Sequence, residues 1–215
     1  MKKSGFVFLI VLLESILVGV GVAICILHSN LFPISIVLFV VAFIIFVMII
    51  SKYNGIIRYK NKVRESFALI DVQLKLRFDL IPNLVSVVKK YAEHEKETLT
   101  EIAKLRNLAV NSTDKKERLD YANKLVPQIK NIVAISENYP DLKSDSLFKS
   151  LMDQIVDVED RIASARRIYD SNVNVYNTHI ETFPNNMIAN AFNFAREEMF
   201  RIDVGENLLH KIELG

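Results

Sequence analysis

The sequence predicts an all-α membrane protein: a two-span N-terminal transmembrane hairpin followed by an antiparallel bundle of three long helices plus a short fourth helix. Three observations carry this. Apolar residues concentrate at the N-terminus, where positions 6–50 hold only Glu14, Ser15, Gly19, Gly21, His28, Ser29, Asn30, Pro33 and Ser35 outside the apolar set. Glycine is absent between Gly55 and Gly205 and hairpin dipeptides of the Asn-Gly or Asp-Gly type do not occur, which argues against strands. Apolar residues elsewhere recur at alternating steps of three and four, the helical period.

The first element runs from Phe6 to Leu27 with one charge, and the second from Leu31 to Ile50 with none. Each matches the roughly 20 residues that cross a 30 Å hydrocarbon core. His28-Ser29-Asn30 supplies a polar turn, and Pro33 stands near the start of the second span, where a missing N–H costs least. A tight turn leaves both ends on one side. Lys2 and Lys3 before the first span, and Lys52, Arg58, Lys60, Lys62 and Arg64 after the second, place that side in the cytoplasm. A cleaved signal peptide is disfavoured by the length of the first span and by the lack of a small-x-small site. Ile24 before Cys25 likewise disfavours a lipoprotein site.

The chain therefore divides into a transmembrane hairpin, 1–52, and a cytoplasmic helical domain, 53–215. The 51% apolar content and net charge of +2 both belong to the hairpin, since residues 53–215 carry 24 Lys/Arg against 24 Asp/Glu. One cysteine excludes a disulfide scaffold. Balanced charge argues against nucleic acid as a partner, and the apolar content excludes a disordered chain.

In the cytoplasmic domain the first long stripe is Phe67, Ile70, Leu74, Phe78, Ile81, Val85, Val88, Ala92, Glu95, Leu99 and Ile102. It predicts one helix of about 40 residues, running on almost without a break from the second span. Asn111-Ser112-Thr113-Asp114 is a capping loop that opens a helix from Asp114 to about Glu137, with stripe Leu119, Ala122, Leu125, Ile129, Ile132 and Ser136. Tyr139-Pro140 ends it. The next stripe, Leu147 through Leu151, Ile155, Val158, Ile162, Ala165, Tyr169, Val173, Tyr176 and Ile180 to Phe183, predicts a second long helix stopped by Pro184. Asn185 then caps a short helix over roughly 186–201. Pro82 and Pro127 fall inside periodic stretches and predict kinks.

The segments Tyr53-Asn54, IDVQLKLRFDLIPNLVSVVKKYAEHE at 70–95, ARRIYDSNVNVYN at 165–177 and FPNNMIANAF at 183–192 together resemble the LemA family of bacterial membrane proteins. The resemblance covers about residues 53–200. It implies a membrane-anchored antiparallel helical bundle facing the cytoplasm, no established catalytic activity, and a link to membrane organisation and shaping. The chain departs from the family pattern at Phe67, where Trp is common, at Leu76 for Arg, at Lys90 for Gly, and at Asn193 for Gly. The second span is also an addition to the single span of most members.

Candidate sites are contact surfaces rather than reaction centres. Ser15, Gly19 and Ala23 share one helix face at the spacing that lets a second membrane helix approach, and Glu14 lies on its edge as a structural group. Asp71, Gln73, Lys75, Arg77, Asp79 and Asn83 make a dense polar run. Its Asp71–Lys75 and Lys75–Asp79 spacings suit either a salt-bridged exposed face or contact with a partner or another copy. Lys52, Arg58, Lys60, Lys62 and Arg64 suit anionic lipid headgroups. His94 has only Glu97 and Glu101 at ligand spacing, so no metal or other cofactor is expected, and His179 is expected to cap carbonyls or face solvent. No nucleophile or acid–base set is identifiable. The expected function is non-enzymatic: a self-associating scaffold that organises or shapes the bacterial inner membrane, with lipids and further copies of itself as partners. The alternative is a membrane-tethered signalling or adaptor module that binds an unidentified cytoplasmic protein through its long helices.

Overall fold

The computed structural model describes residues 32–200 and Gly19. Its elements are helices α1 (Phe32–Tyr91), α2 (Lys96–Asn111), α3 (Lys115–Asn138), α4 (Pro140–Ser144), α5 (Ser146–Glu181) and α6 (Asn185–Ala191), with no strand among the described residues. The first predicted span, with Glu14, Ser15 and Ala23, lies outside the described residues.

Helix α1 is 60 residues long and unbroken, so Ser51 to Gly55 do not interrupt it. From Ile36 to Ile50 every side chain is exposed or half-exposed, with Ile44 at 60% and Val37 at 61%. An apolar helix that nothing among the described residues covers is stable in hydrocarbon rather than in water. This is the one described helix long and apolar enough to cross a membrane, and it marks the chain as membrane-associated.

The described chain forms two compact units. The first joins α1 as far as Arg64 to Asp170–Met199. Here Asn177 accepts from the Glu197 amide at 3.0 Å through Oδ1 and donates to the Glu197 carbonyl at 2.9 Å through Nδ2. The buried Tyr176 hydroxyl donates to the Ala195 carbonyl at 3.0 Å. These bonds hold the non-helical segment after α6 along α5. Tyr53 packs on Phe192 and Phe194, at ring distances of 4.7 and 5.8 Å.

The second unit holds Glu65–Tyr169 and Phe200. Its core is the predicted stripes: Phe67, Ile70, Leu74, Phe78, Ile81 and Val88 of α1, Ala122, Leu125, Ile129 and Ile132 of α3, and Leu151, Ile155, Val158 and Ile162 of α5 are all buried. Asp114 caps α3 by accepting from the Glu117 amide at 2.9 Å.

Four expectations are corrected. The stripe from Phe67 to Ile102 is two helices, because the chain turns at Ala92–Glu95. Glu95 is the polar step in that stripe, and Ala92, Leu99 and Ile102 stay buried on both sides of the turn, so the period survives the break. The last helix ends at Ala191 instead of reaching the 200s. Asn193 takes φ +55°, its amide bonds to the Asn190 carbonyl and the Phe194 amide to the Ala189 carbonyl, a Schellman stop. Asn185 lies inside that helix, and its side chain donates instead to the last-turn carbonyl of His179 in α5. Finally, Leu147 and Phe183, the two ends of the α5 stripe, are exposed, and Phe148 is buried in place of Leu147.

Candidate contact surfaces

The polar run of α1 lies in the second unit, and its six residues divide by where they point. Lys75, Asp79 and Asn83 are exposed, while Asp71 and Gln73 are half-buried. Neither helical ladder pair from the sequence is among the ion pairs of the described residues. Asp71 instead meets Arg118 of α3 at 3.3 Å, and Arg118 also donates to the Ser112 carbonyl at 3.0 Å. Gln73 keeps its Oε1 buried with no hydrogen-bond partner among the described residues.

Arg77 is wholly buried. It donates to Glu159 of α5 at 2.6 Å and to the Ala122 carbonyl of α3 at 2.8 Å, while its Nε has no partner among the described residues. One guanidinium thus ties three helices together. A burial of this kind is tolerated because the charge is paired with a carboxylate and both terminal nitrogens donate a hydrogen bond. Pro82 has a similar consequence one turn on. It lacks the N–H that would bond the Phe78 carbonyl, and Arg106 of α2 supplies a donor to that carbonyl at 3.2 Å.

Beside this run lies a second seam that the core stripe conceals. Glu65, Leu69, Val72, Leu76, Asp79 and Asn83 are spaced by four and three in turn, and all are exposed. Leu69 is 50%, Val72 55% and Leu76 42% exposed. Their spacing was visible in the sequence. A helix with apolar residues on two faces shows no sharp boundary between them, so spacing alone does not separate this seam from the core stripe.

The basic run falls in the first unit. Arg58, Lys62 and Arg64 are exposed, and Lys52 and Lys60 half-exposed. Lys60 approaches Glu197 at 3.8 Å and the Phe194 ring at 5.8 Å, and Lys62 lies 5.9 Å from the Tyr59 ring. Along α1, Lys60 and Arg64 stand about 12 and 18 Å beyond Lys52.

His179 neither caps carbonyls nor faces solvent freely. Its ring packs against Tyr59 at 4.6 Å in a tilted arrangement, and a Cβ placed on Gly55 would come within 3.3 Å of its Nε2. Burial, and then the charge of Lys52, lower its pKa from 6.5. Gly55 thus has a packing reason, because it lets α5 approach α1 closely. Among the described residues no three His, Cys, Asp or Glu side chains gather as a metal site. An open cleft of about 570 Å³ between α2 and α3 is lined by Thr100, Lys104, Asn107 and Tyr121 among others. Its carboxylate, Glu117, is held by the Ser112 hydroxyl at 2.8 Å.

The profile of the LemA family matches residues 66–212. The chain belongs to the LemA family. It is 26% identical over 169 residues to Protein LemA of Metamycoplasma hominis, a match covering 75% of this chain and 77% of that protein. It is also 36% identical over 70 residues to magnetosome protein MamQ 2 of Paramagnetospirillum magneticum, and 38% identical over 69 residues to magnetosome protein MamQ of Magnetospirillum gryphiswaldense. These two matches span 33% and 32% of the chain, and 26% and 25% of the respective relatives. In this LemA-family chain, residues of the segments that carry the resemblance serve internal contacts: Arg77 joins three helices, and Tyr176 and Asn177 hold the segment after α6.

Proposed function

We propose that this chain is a non-enzymatic scaffold of the bacterial cell membrane that self-associates and organises or shapes that membrane. The observation that carries the reading is the exposed seam on α1. Leu69, Val72 and Leu76 form an apolar strip with Asp79 and Asn83 on the same line and Asp71 and Lys75 beside it. A 3–4 repeat of this kind on a helix surface suits another helix, and a second copy supplies one with the same pattern. The magnetosome proteins among the relatives support a membrane setting. In this reading residues 1–52 form a two-span hairpin, both termini and the domain 53–215 lie in the cytoplasm, and Glu14, Ser15, Gly19 and Ala23 pack span against span. Lys52 leads the basic residues in contact with anionic lipid.

Imaging of the full chain extracted in native lipid patches tests this. Ordered homo-oligomers, with curved or clustered membrane after reconstitution into liposomes, are the expected result. A monodisperse monomer that leaves liposomes unchanged sinks the proposal. A different protein bound in fixed stoichiometry, with no self-association, favours an adaptor role instead.

A further inference from the structure

The two most exposed large apolar side chains among the described residues are neither in the membrane-spanning part of α1 nor on the α1 seam. They are Phe183, at 74% in the turn after α5, and Met187, at 64% in α6, four residues apart on the elbow between the two helices. Single exposed apolar residues are ordinary. Two large ones four residues apart on one elbow need a reason, and their place within the first unit supplies it.

The level of the elbow along α1 follows from three contacts. Asn177 is bonded to Glu197, which pairs with Lys60. Two residues later, His179 lies against Tyr59 and Gly55 and within the field of Lys52. Helix α5 therefore descends α1 towards its apolar end. Helix α5 ends at Glu181, about 3 Å beyond His179, and Phe183 follows in the turn before α6, so the turn lies at the end of α5 that faces Lys52 and the uncovered apolar stretch. After α6 the chain climbs again, with Phe192 on Tyr53 and Glu197 at Lys60. The elbow joins these two arms, between His179 on Tyr59 and Phe192 on Tyr53. Its neighbouring acid, Glu181, is paired with Arg196 at 2.9 Å. Tyr53 and Lys52 add the aromatic and cationic groups that suit a headgroup layer.

We infer that the Phe183–Met187 elbow is a second membrane contact, seated in the interface of the same bilayer that α1 crosses, with lipid acyl chains as its occupant. The inference rests on α1 being a membrane span. Insertion to about 5–10 Å would bury both side chains at the headgroup–acyl boundary. It would also fix the lower end of α5 to the membrane surface beside α1.

The chain has no tryptophan, so single-tryptophan variants report one position each. Three full-length variants suffice: Phe183→Trp, Phe39→Trp within the apolar stretch, and Leu147→Trp at an exposed position of α5. Each is reconstituted in phosphatidylcholine/phosphatidylglycerol vesicles, with lipids brominated either near the carbonyl end or near the middle of the acyl chain. Phe183→Trp is expected to emit at shorter wavelength than Leu147→Trp and to be quenched most by bromine near the carbonyl end. Phe39→Trp is expected to be quenched by bromine in the membrane in either case. If Phe39→Trp is quenched but Phe183→Trp behaves like Leu147→Trp, the elbow does not enter the bilayer and α1 still does. A blue-shifted Phe183→Trp without bromine quenching means a protein neighbour, which also overturns the inference. Failure of Phe39→Trp to be quenched removes the membrane span itself and the elbow contact with it.

Discussion

Asn193 shows how one side chain sets an element boundary. Its backbone occupies the left-handed region at φ +55°, which asparagine tolerates and glycine adopts without strain. Asn193→Ala is expected to cost about 1 kcal/mol in denaturant unfolding, and Asn193→Gly to be neutral or slightly stabilising. Equal effects of the two would mean that the Asn193 side chain, rather than its backbone angle, matters. Arg77 is the opposite case, a side chain whose surroundings decide everything. Arg77→Leu strands Glu159, which is 13% exposed at its side chain, and is expected to cost about 3–5 kcal/mol. Arg77→Leu combined with Glu159→Leu removes both charges and is expected to recover a large part of that loss. A double variant as unstable as the single one would show that the guanidinium acts mainly through the Ala122 carbonyl.

At the scale of elements, each irregularity has a partner in another helix. Pro82 leaves the Phe78 carbonyl open and Arg106 of α2 meets it. Gly55 makes room on α1 for His179 of α5. Asp145 starts α5 by accepting from the Leu147 and Phe148 amides at 2.8 and 2.9 Å, and it also accepts from Tyr91 at the end of α1. The Phe148 amide and the Tyr91 hydroxyl hold the Asp145 carboxyl below its ordinary range. The α1–α5 contact at His179 has a pH dependence of definite sign. Its pKa is lowered in the fold, so its contribution is fully present above the ordinary value of 6.5 and is lost as pH falls through the lowered folded value. Hydrogen exchange at residues 178–185 is expected to show more frequent opening at pH 5 than at pH 7.5, beyond the intrinsic pH dependence. That excess should vanish in His179→Gln. An excess that persists in His179→Gln would assign the effect to another group.

For the whole molecule, the balance between buried and uncovered apolar surface is the governing quantity. Among the described residues the helices leave apolar side chains uncovered on α1 from Ile36 to Ile50 and again at Leu69, Val72 and Leu76. If the second patch is a self-contact, Leu69→Glu with Leu76→Glu should abolish oligomers. Surface changes of this kind are expected to alter unfolding free energy by no more than about 0.5 kcal/mol each. The readout is mass in native lipid patches beside thermal unfolding. Oligomers that survive the double change would move self-association elsewhere.

Much of this was legible in the residue order. Helical period, the capping Asp114, the stops at Pro140 and Pro184 and the apolar stretch before Lys52 are local signals, fixed by neighbours three or four positions away. The turn at Ala92–Glu95 was missed because both flanking helices bury residues in the same register. The seam at Leu69, Val72 and Leu76 was missed because periodicity counts apolar faces without saying which one is covered. Of the six polar residues from Asp71 to Asn83, composition could not tell that Arg77 turns inward to Glu159 while Lys75 and Asp79 stay outside.

The sequence by itself determined that this is a helical, membrane-associated protein of the LemA family, because hydropathy and period are properties of the chain. Only the tertiary structure decided which faces remain open, which charge is buried and where the Phe183–Met187 elbow stands along α1. Those depend on side chains meeting across helices far apart in the chain, such as Arg77 with Glu159 and Tyr59 with His179, and no local pattern encodes such distances.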